Sequence, residues 1–177
     1  MHNRIIYKYY PEDNALRNIL ITHSTLVMKR AVRICDNHPE LKANRQFIIE
    51  AAMLHDLGIF KCNAPSIHCM GNAPYICHGY IGGQLMRAEG YPMYARVCER
   101  HTGAGITRSQ IINEHLPLPE NDFLPETIEE KIICYADKFY SKSHPEHEKS
   151  YKEALKSLSK FGEEGILRFM EWKKIFE

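Results

Sequence analysis

The chain of 177 residues is 44% hydrophobic and 25% charged, and its formal net charge is +1. That size suits one domain with a buried core, the composition argues against disorder, and the near-zero charge provides no strong field for nucleic acid or an anionic membrane. No apolar run approaches the roughly 20 residues that span a bilayer, and the opening stretch MHNRIIYKYYPED lacks the apolar core and cleavage site of a secretory signal. The expectation is one domain over residues 1–177, cytoplasmic and without a membrane partner. Six cysteines (Cys35, Cys62, Cys69, Cys77, Cys98 and Cys134) form no CxxC pair and read as free thiols, several of them in the core.

Helical periodicity dominates and no stretch alternates convincingly as a strand, which predicts an all-α fold. Pro11-Glu12-Asp13-Asn14 is a helix-start signal, followed by a predicted helix over about 14–36. Its apolar stripe runs Leu16, Ile19/Leu20, His23, Leu26/Val27, Ala31, Ile34, so His23 faces inward. A second helix spans about 45–57 and ends in AAMLHDLG, with Gly58 read as a left-handed cap. Here His55 and Asp56 stand side by side in an apolar run, where a polar pair must be networked or bound to a metal. The carboxylate has a second oxygen free to bridge two ions.

Residues 61–77 hold Asn63, Pro65, Gly71, Asn72 and Pro74 and read as a long loop with one short turn, a lid or substrate-contacting segment. Cys62, His68-Cys69 and Cys77 are spaced too irregularly to suggest zinc. A third helix is expected over about 78–89, stopped by Gly90 and Pro92. Its inward stripe is read as His78, Ile81, Leu85, Ala88, with Gly79, Gly82 and Gly83 letting another backbone approach. A fourth, over about 92–101, puts Tyr94, Val97, Cys98 and His101 on one face. After a long connection with a short helix at about 109–115, Thr127 caps a helix with Glu129 and Glu130 in its first turn. That helix carries Ile128, Ile132, Ile133, Ala136 and Phe139, and Asp137 is a carboxylate on its apolar face. Polar residues 141–149 read as a connection, and helices over about 151–161 and 166–176 close the domain, with Trp172 as a packing residue.

His23, His55-Asp56, His78, His101 and Asp137 thus fall on the apolar faces of five successive helices. The intervals from each His to the next and on to Asp137 are 32, 23, 23 and 36 residues. Each is about one helix plus one connection, so an antiparallel bundle brings all six side chains to one interior point, as helical bundles do when they build metal sites.

In this order, H…HD…H…H…D, with His55-Asp56-Leu57-Gly58 in the HDxG form, the chain resembles the HD superfamily of metal-dependent phosphohydrolases over about residues 15–140. It is similar to compact single-domain HDIG-type proteins, including bacterial hydrolases that split dinucleoside polyphosphates. The resemblance implies an HD-type helical bundle, closed by helices over about 150–177. It implies that His23, His55, Asp56 and Asp137 hold one divalent metal, and that Asp56 bridges to a second held by His78 and His101. Simpler one-metal members lack those two histidines. Iron or manganese is favoured, and zinc, nickel and magnesium remain compatible. Lys61 stands near the position where many HDxG proteins carry a lysine at the substrate phosphate, although Phe60-Lys61 departs from the tighter HDxGK spacing.

Such a site implies cleavage of a phosphoester or phosphoanhydride by metal-activated hydroxide. Asp56 is the bridging catalytic carboxylate, and Lys61 and Arg108 are candidate phosphate contacts, the latter in a loop with Gly103 and Gly105. The implied partner is a small phosphorylated substrate, a nucleotide first. The same four histidines and two aspartates also resemble HD-fold mixed-valent di-iron oxygenases acting on small polyols or phosphonates, and ligand type does not separate the two. No GxSxG, P-loop or GxGxxG occurs. The helical surface permits a homodimer.

Overall fold

The computed structural model describes residues 1–177 as nine α-helices and one minimal ribbon. The helices are α1 (His2–Tyr9), α2 (Ala15–Asn37), α3 (Arg45–Leu54), α4 (His78–Ala88), α5 (Pro92–Arg100), α6 (Arg108–Asn113), α7 (Ile128–Asp137), α8 (Tyr151–Leu158) and α9 (Glu163–Phe176). Between α3 and α4, β1 (Asn63–Ala64) pairs antiparallel with β2 (Cys69–Met70). The all-helical expectation holds apart from this ribbon. The segment read as a loop is more ordered than expected, with short 3-10 turns beside the ribbon and with Cys62, Ile67, Cys69 and Cys77 buried. All six cysteines are free and buried.

The helix starts follow local chemistry. Asn14 Oδ1 accepts the Arg17 backbone N–H at 3.0 Å to begin α2, and Thr127 and Glu130 form a reciprocal capping box at the start of α7. Glu130 also receives Arg96 of α5 at 2.7 Å, tying α5 to the start of α7. No expectation covered α1. Its Ile5 and Ile6 are buried, and its first turn is held by His2 N–H donating to Glu50 Oε2 at 2.8 Å.

Two apolar clusters share the long helices. One takes Val27, Ala31 and Ile34 of α2 with Ala51, Ile132, Ile133, Phe139, Phe169 and Trp172. The other takes Leu20 of α2 with Ile5, Ile6, Leu54, Leu57, Met86 and Cys98. His23 lies in α2 between Leu20 and Val27, where one cluster gives way to the other. The packing residue expected of Trp172 is found there, 5% exposed.

Gly58 and the α4 stripe depart from expectation. Gly58 has no positive φ, unlike Gly90, Gly103, Gly105 and Gly162, so it is not a left-handed cap. It sits in a 3-10 turn, Leu57–Lys61, and what it supplies is room. A Cβ there would lie 2.2 Å from the His78 carbonyl oxygen and 2.5 Å from the Gly82 nitrogen. One at Gly79 would lie 2.4 Å from the Cys98 carbonyl oxygen. The inward face of α4 is therefore His78, Gly79, Gly82, Gly83 and Met86, not Ile81, Leu85 and Ala88, of which Ala88 is exposed. Three backbones meet at van der Waals distance there, which draws the His55-Asp56 turn, His78 and His101 together.

Candidate metal centre

All six side chains expected at the interior point are buried: His23 on α2, His55 and Asp56 at the end of α3, His78 at the start of α4, His101 just past α5, and Asp137 at the end of α7. They form two groups that share Asp56. His23, His55, Asp56 and Asp137 present ligand atoms within 4.8 Å of one another, and so do Asp56, His78 and His101. The carboxylate of Asp56 divides between them. Its Oδ2 is 3.1 Å from both His23 Nε2 and His55 Nε2, while its Oδ1 is 3.4 Å from both His78 Nε2 and His101 Nε2. Asp137 Oδ1 completes the first group at 2.9 Å from His23 Nε2 and 3.5 Å from His55 Nε2.

Three of the imidazoles are oriented by the backbone three residues earlier. Nδ1–H of His55 donates to the Ala52 carbonyl at 2.6 Å, that of His78 to Tyr75 at 2.6 Å, and that of His101 to Cys98 at 2.7 Å. A carbonyl only accepts, so each Nδ1 carries a proton and each Nε2 faces Asp56; in His78 and His101, whose rings burial keeps neutral, that nitrogen turns a lone pair toward the carboxylate. His78 Nε2 and His101 Nε2 then face each other at 3.0 Å, a contact of two lone pairs that a shared cation relieves. His55 Nε2 and both oxygens of Asp56 are buried without an aligned hydrogen bond despite their close neighbours. Donors about 3 Å apart are what adjacent ligands on one ion present when each bond is about 2.0–2.2 Å. The donor set thus fits divalent metal.

The charges are arranged to match. Burial works against the ionised forms of Asp56 and Asp137. The former is nonetheless held well below the usual carboxylate range by the His55 and Lys142 charges, the latter by Lys138 and by hydrogen bonding to His23. Burial also pulls His55 down, but the adjoining Asp56 and Asp137 carboxylates overcome it and lift His55 to about 9. His78 goes the other way, lowered to about 3 by burial and by the neighbouring His101, and burial lowers His101 as well.

The structure adds two cations that periodicity did not reveal. Lys142 Nζ lies 2.6 Å from Asp56 Oδ2. Lys138 Nζ lies 2.6 Å from Asp137 Oδ2 and donates to the His101 carbonyl at 3.0 Å, holding the outer oxygen of Asp137 so that Oδ1 faces the histidines. Beside His78, His101 and Asp137 opens a cavity of about 160 Å³, whose wall includes Lys138, Lys142, Lys149, Lys160 and Tyr75. Tyr75 stacks on His78 with ring centroids 4.7 Å apart.

Lys61 and Arg108 are not brought to this cavity. The 3-10 turn after Asp56 directs Lys61 outward to a separate depression with Gly71, Asn72 and Gln84. Arg108 is 59% exposed, its side chain bound to Glu120 at 3.2 Å and its backbone N–H donating to Asp122 at 2.7 Å.

A helical domain with buried imidazoles and carboxylates grouped for divalent metal is the class that fold and site define. The sequence model of the family described as HD domain matches residues 20–141, and the chain belongs to that family. It is 34% identical over 150 residues to a tRNA (cytidine(56)-2'-O)-methyltransferase of Picrophilus torridus, a match covering 79% of this chain and 39% of that protein. A protein of the same name from Thermoplasma volcanium is 30% identical over 138 residues, covering 77% of this chain and 35% of the relative. An uncharacterized protein of Methanocaldococcus jannaschii is 38% identical over 86 residues, 48% of this chain and 43% of the relative. The matches thus cover less than half the length of each of these curated relatives. No solved structure matches it. No helix is long and apolar enough to cross a membrane.

Proposed function

We propose that this domain is a two-metal phosphohydrolase, loading one divalent ion on His23, His55, Asp56 and Asp137 and a second on Asp56, His78 and His101. Iron or manganese is favoured, and the substrate is a small phosphorylated compound, a nucleotide first. The observation that carries this reading is the cavity beside the ligands, where Lys138, Lys142, Lys149 and Lys160 stand against one carboxylate, that of Asp137. Such a wall selects an anion. Divalent ions, when bound, supply Lewis acidity and a coordinated water of lowered pKa. The chain's own residues do the rest. Asp56 offers one oxygen to each group, the Nδ1–carbonyl bonds keep three imidazoles in register, and the lysines offset charge on the phosphoryl oxygens. An adjoining cavity of about 340 Å³ shares Tyr75, His78, Thr102, Lys160 and Phe161 and adds Ile76, Ile106 and Leu116, which suits the organic part of such a substrate.

The methyl transfer for which two relatives are named is no part of this reading, because the matches cover 39% and 35% of those proteins. Their tie to tRNA adds RNA phosphates to the substrates to be tried. The four-histidine, two-aspartate set also supports the oxygenase reading, and one experiment separates the two. Protein reconstituted anaerobically with Mn(II) or Fe(II) is given nucleotides, dinucleoside polyphosphates and simple phosphoesters. Phosphate or nucleotide release that Asp56→Ala abolishes is the expected result. No release across the panel, with oxygen consumed in the presence of a polyol or phosphonate, would replace hydrolase by oxygenase.

A further inference from the structure

Lys142 comes from the irregular connection between α7 and α8, yet its side chain is only 14% exposed and its Nζ sits 2.6 Å from Asp56 Oδ2. The same oxygen is 3.1 Å from His23 Nε2 and 3.1 Å from His55 Nε2. The ammonium therefore approaches the oxygen that faces the four-residue group. An ion held by those donors at about 2 Å from each would meet that ammonium within a few ångström, a like-charge contact that a buried site does not tolerate. The side chain has somewhere to go. Lys142 lines both the cavity of about 160 Å³ and a neighbouring one of about 420 Å³, and Tyr75, Tyr140, Lys149 and Lys160 line both with it. Its flexible four-carbon stem permits the move, and the Tyr75 ring, 6.0 Å from Nζ, offers a face along the way.

We propose that Lys142 is a tethered cation with two alternating positions: against Asp56 when the four-residue group is free of metal, and in the lysine-walled cavity when that group is loaded, where with Lys149 and Lys160 it binds the substrate's phosphoryl group. This rests on the two-group metal reading above. Metal loading then releases a phosphate ligand, and by reciprocity phosphate tightens metal binding. Lys142 thereby couples occupancy of the metal centre to affinity for a dianionic group, and an enzyme lacking metal holds its anion site incomplete.

The test is titration of the full chain with Mn(II), with inorganic phosphate on the Mn(II)-loaded protein, and with Mn(II) in the presence of phosphate. Wild type, Lys142→Met and Lys142→Arg are compared. Lys142→Met should bind Mn(II) roughly tenfold or more tightly than wild type, since the competing charge is gone. Its loaded form should bind phosphate roughly tenfold more weakly, and phosphate should no longer tighten Mn(II). Lys142→Arg should keep the coupling. Lys142→Gln removes the charge while retaining a polar tip, and is read by the same criteria should Lys142→Met not fold. Unchanged Mn(II) and phosphate affinities in a folded, uncharged variant overturn the proposal, as does weaker Mn(II) binding, which would make Lys142 a support for the ligands. If wild type and Asp56→Ala both fail to bind Mn(II), the metal reading falls and takes the proposal with it. If wild type binds and loses affinity on Asp56→Ala, only the behaviour of Lys142 is at stake.

Discussion

Gly58→Ala should separate the two halves of the metal centre. A Cβ at residue 58 would lie 2.2 Å from the His78 carbonyl oxygen and 2.5 Å from the Gly82 nitrogen, where side-chain carbons keep at least 3.0 Å. Either α4 retreats or the turn after Asp56 opens, by about 0.8 Å (3.0 − 2.2). Both obstacles are backbone atoms, so no rotamer change relieves the clash. Overpacking of this kind costs about 1–3 kcal/mol, which in a chain of this size lowers Tm by roughly 2–12 °C. The effect on the site is sharper. His78 Nε2 and Asp56 Oδ1 are 3.4 Å apart, and metal–ligand distances tolerate only about 0.2 Å. The shift exceeds that tolerance, so the Asp56–His78–His101 group should lose the ion proposed for it. The His23–His55–Asp56–Asp137 group draws its ligands from α2, the end of α3 and α7, whereas the atoms nearest the intruding methyl all belong to α4, so the ion proposed for that group should stay. The assay pairs thermal unfolding with metal content per chain after reconstitution and desalting. Loss of one ion per chain with a lowered Tm is expected. A variant with wild-type Tm and full metal content would refute the view that this glycine sets the spacing of the two groups.

Asp56→Asn keeps the shape of the side chain but removes the charge that faces both groups, and should lower Mn(II) affinity at each while circular dichroism stays that of a folded helical protein. Undiminished loading would show that Asp56 is not the shared ligand. His55 is lifted to about 9 in the metal-free protein, whereas imidazole binds metal only when neutral, so loading must expel its proton. Metal affinity should therefore climb with pH, about tenfold per unit, and level off above about 9. His78, lowered to about 3, is already neutral and adds no slope; a flat affinity–pH profile would contradict this. Lys61→Ala and Arg108→Ala should leave turnover within about twofold of wild type, because surface substitutions away from the chemistry change energies by about 0.5 kcal/mol or less; a tenfold drop in kcat/KM for either would return it to the site. Thr127→Ala removes the hydroxyl that accepts the Glu130 N–H at 3.2 Å and should cost about 1 kcal/mol, read as a lower urea midpoint with an unchanged slope.

Much of the centre was legible because it lies on regular elements. In a helix the direction of a side chain follows from its place in the 3.6-residue repeat, so His23 between Leu20 and Val27, or Asp137 one turn after Ile133, declares its inward aspect in the sequence. The order and spacing of the six residues followed, and so did the bundle that gathers them. The α4 stripe was misread because glycine carries no hydrophobic signal. Its buried face is Gly79, Gly82 and Gly83, and only the approach of the Gly58 turn and α5 makes that face the inner one.

The amino-acid sequence by itself determined the helices other than α1, the chain order of the ligands and the apolar setting that makes imidazole and carboxylate significant. It did so because burial patterns within a helix are local. Tertiary structure alone decided which oxygen of Asp56 faces which histidines, and which cations reach them. Lys61, five residues after Asp56, is turned outward by a 3-10 turn, and Arg108 is drawn off by Glu120 and Asp122. Lys142 arrives from a connection with no period at all, closed by the Lys149 N–H donating to the Phe139 carbonyl at 2.8 Å. In irregular backbone a side chain takes its direction from contacts made by residues distant in sequence, and no pattern along the chain encodes it.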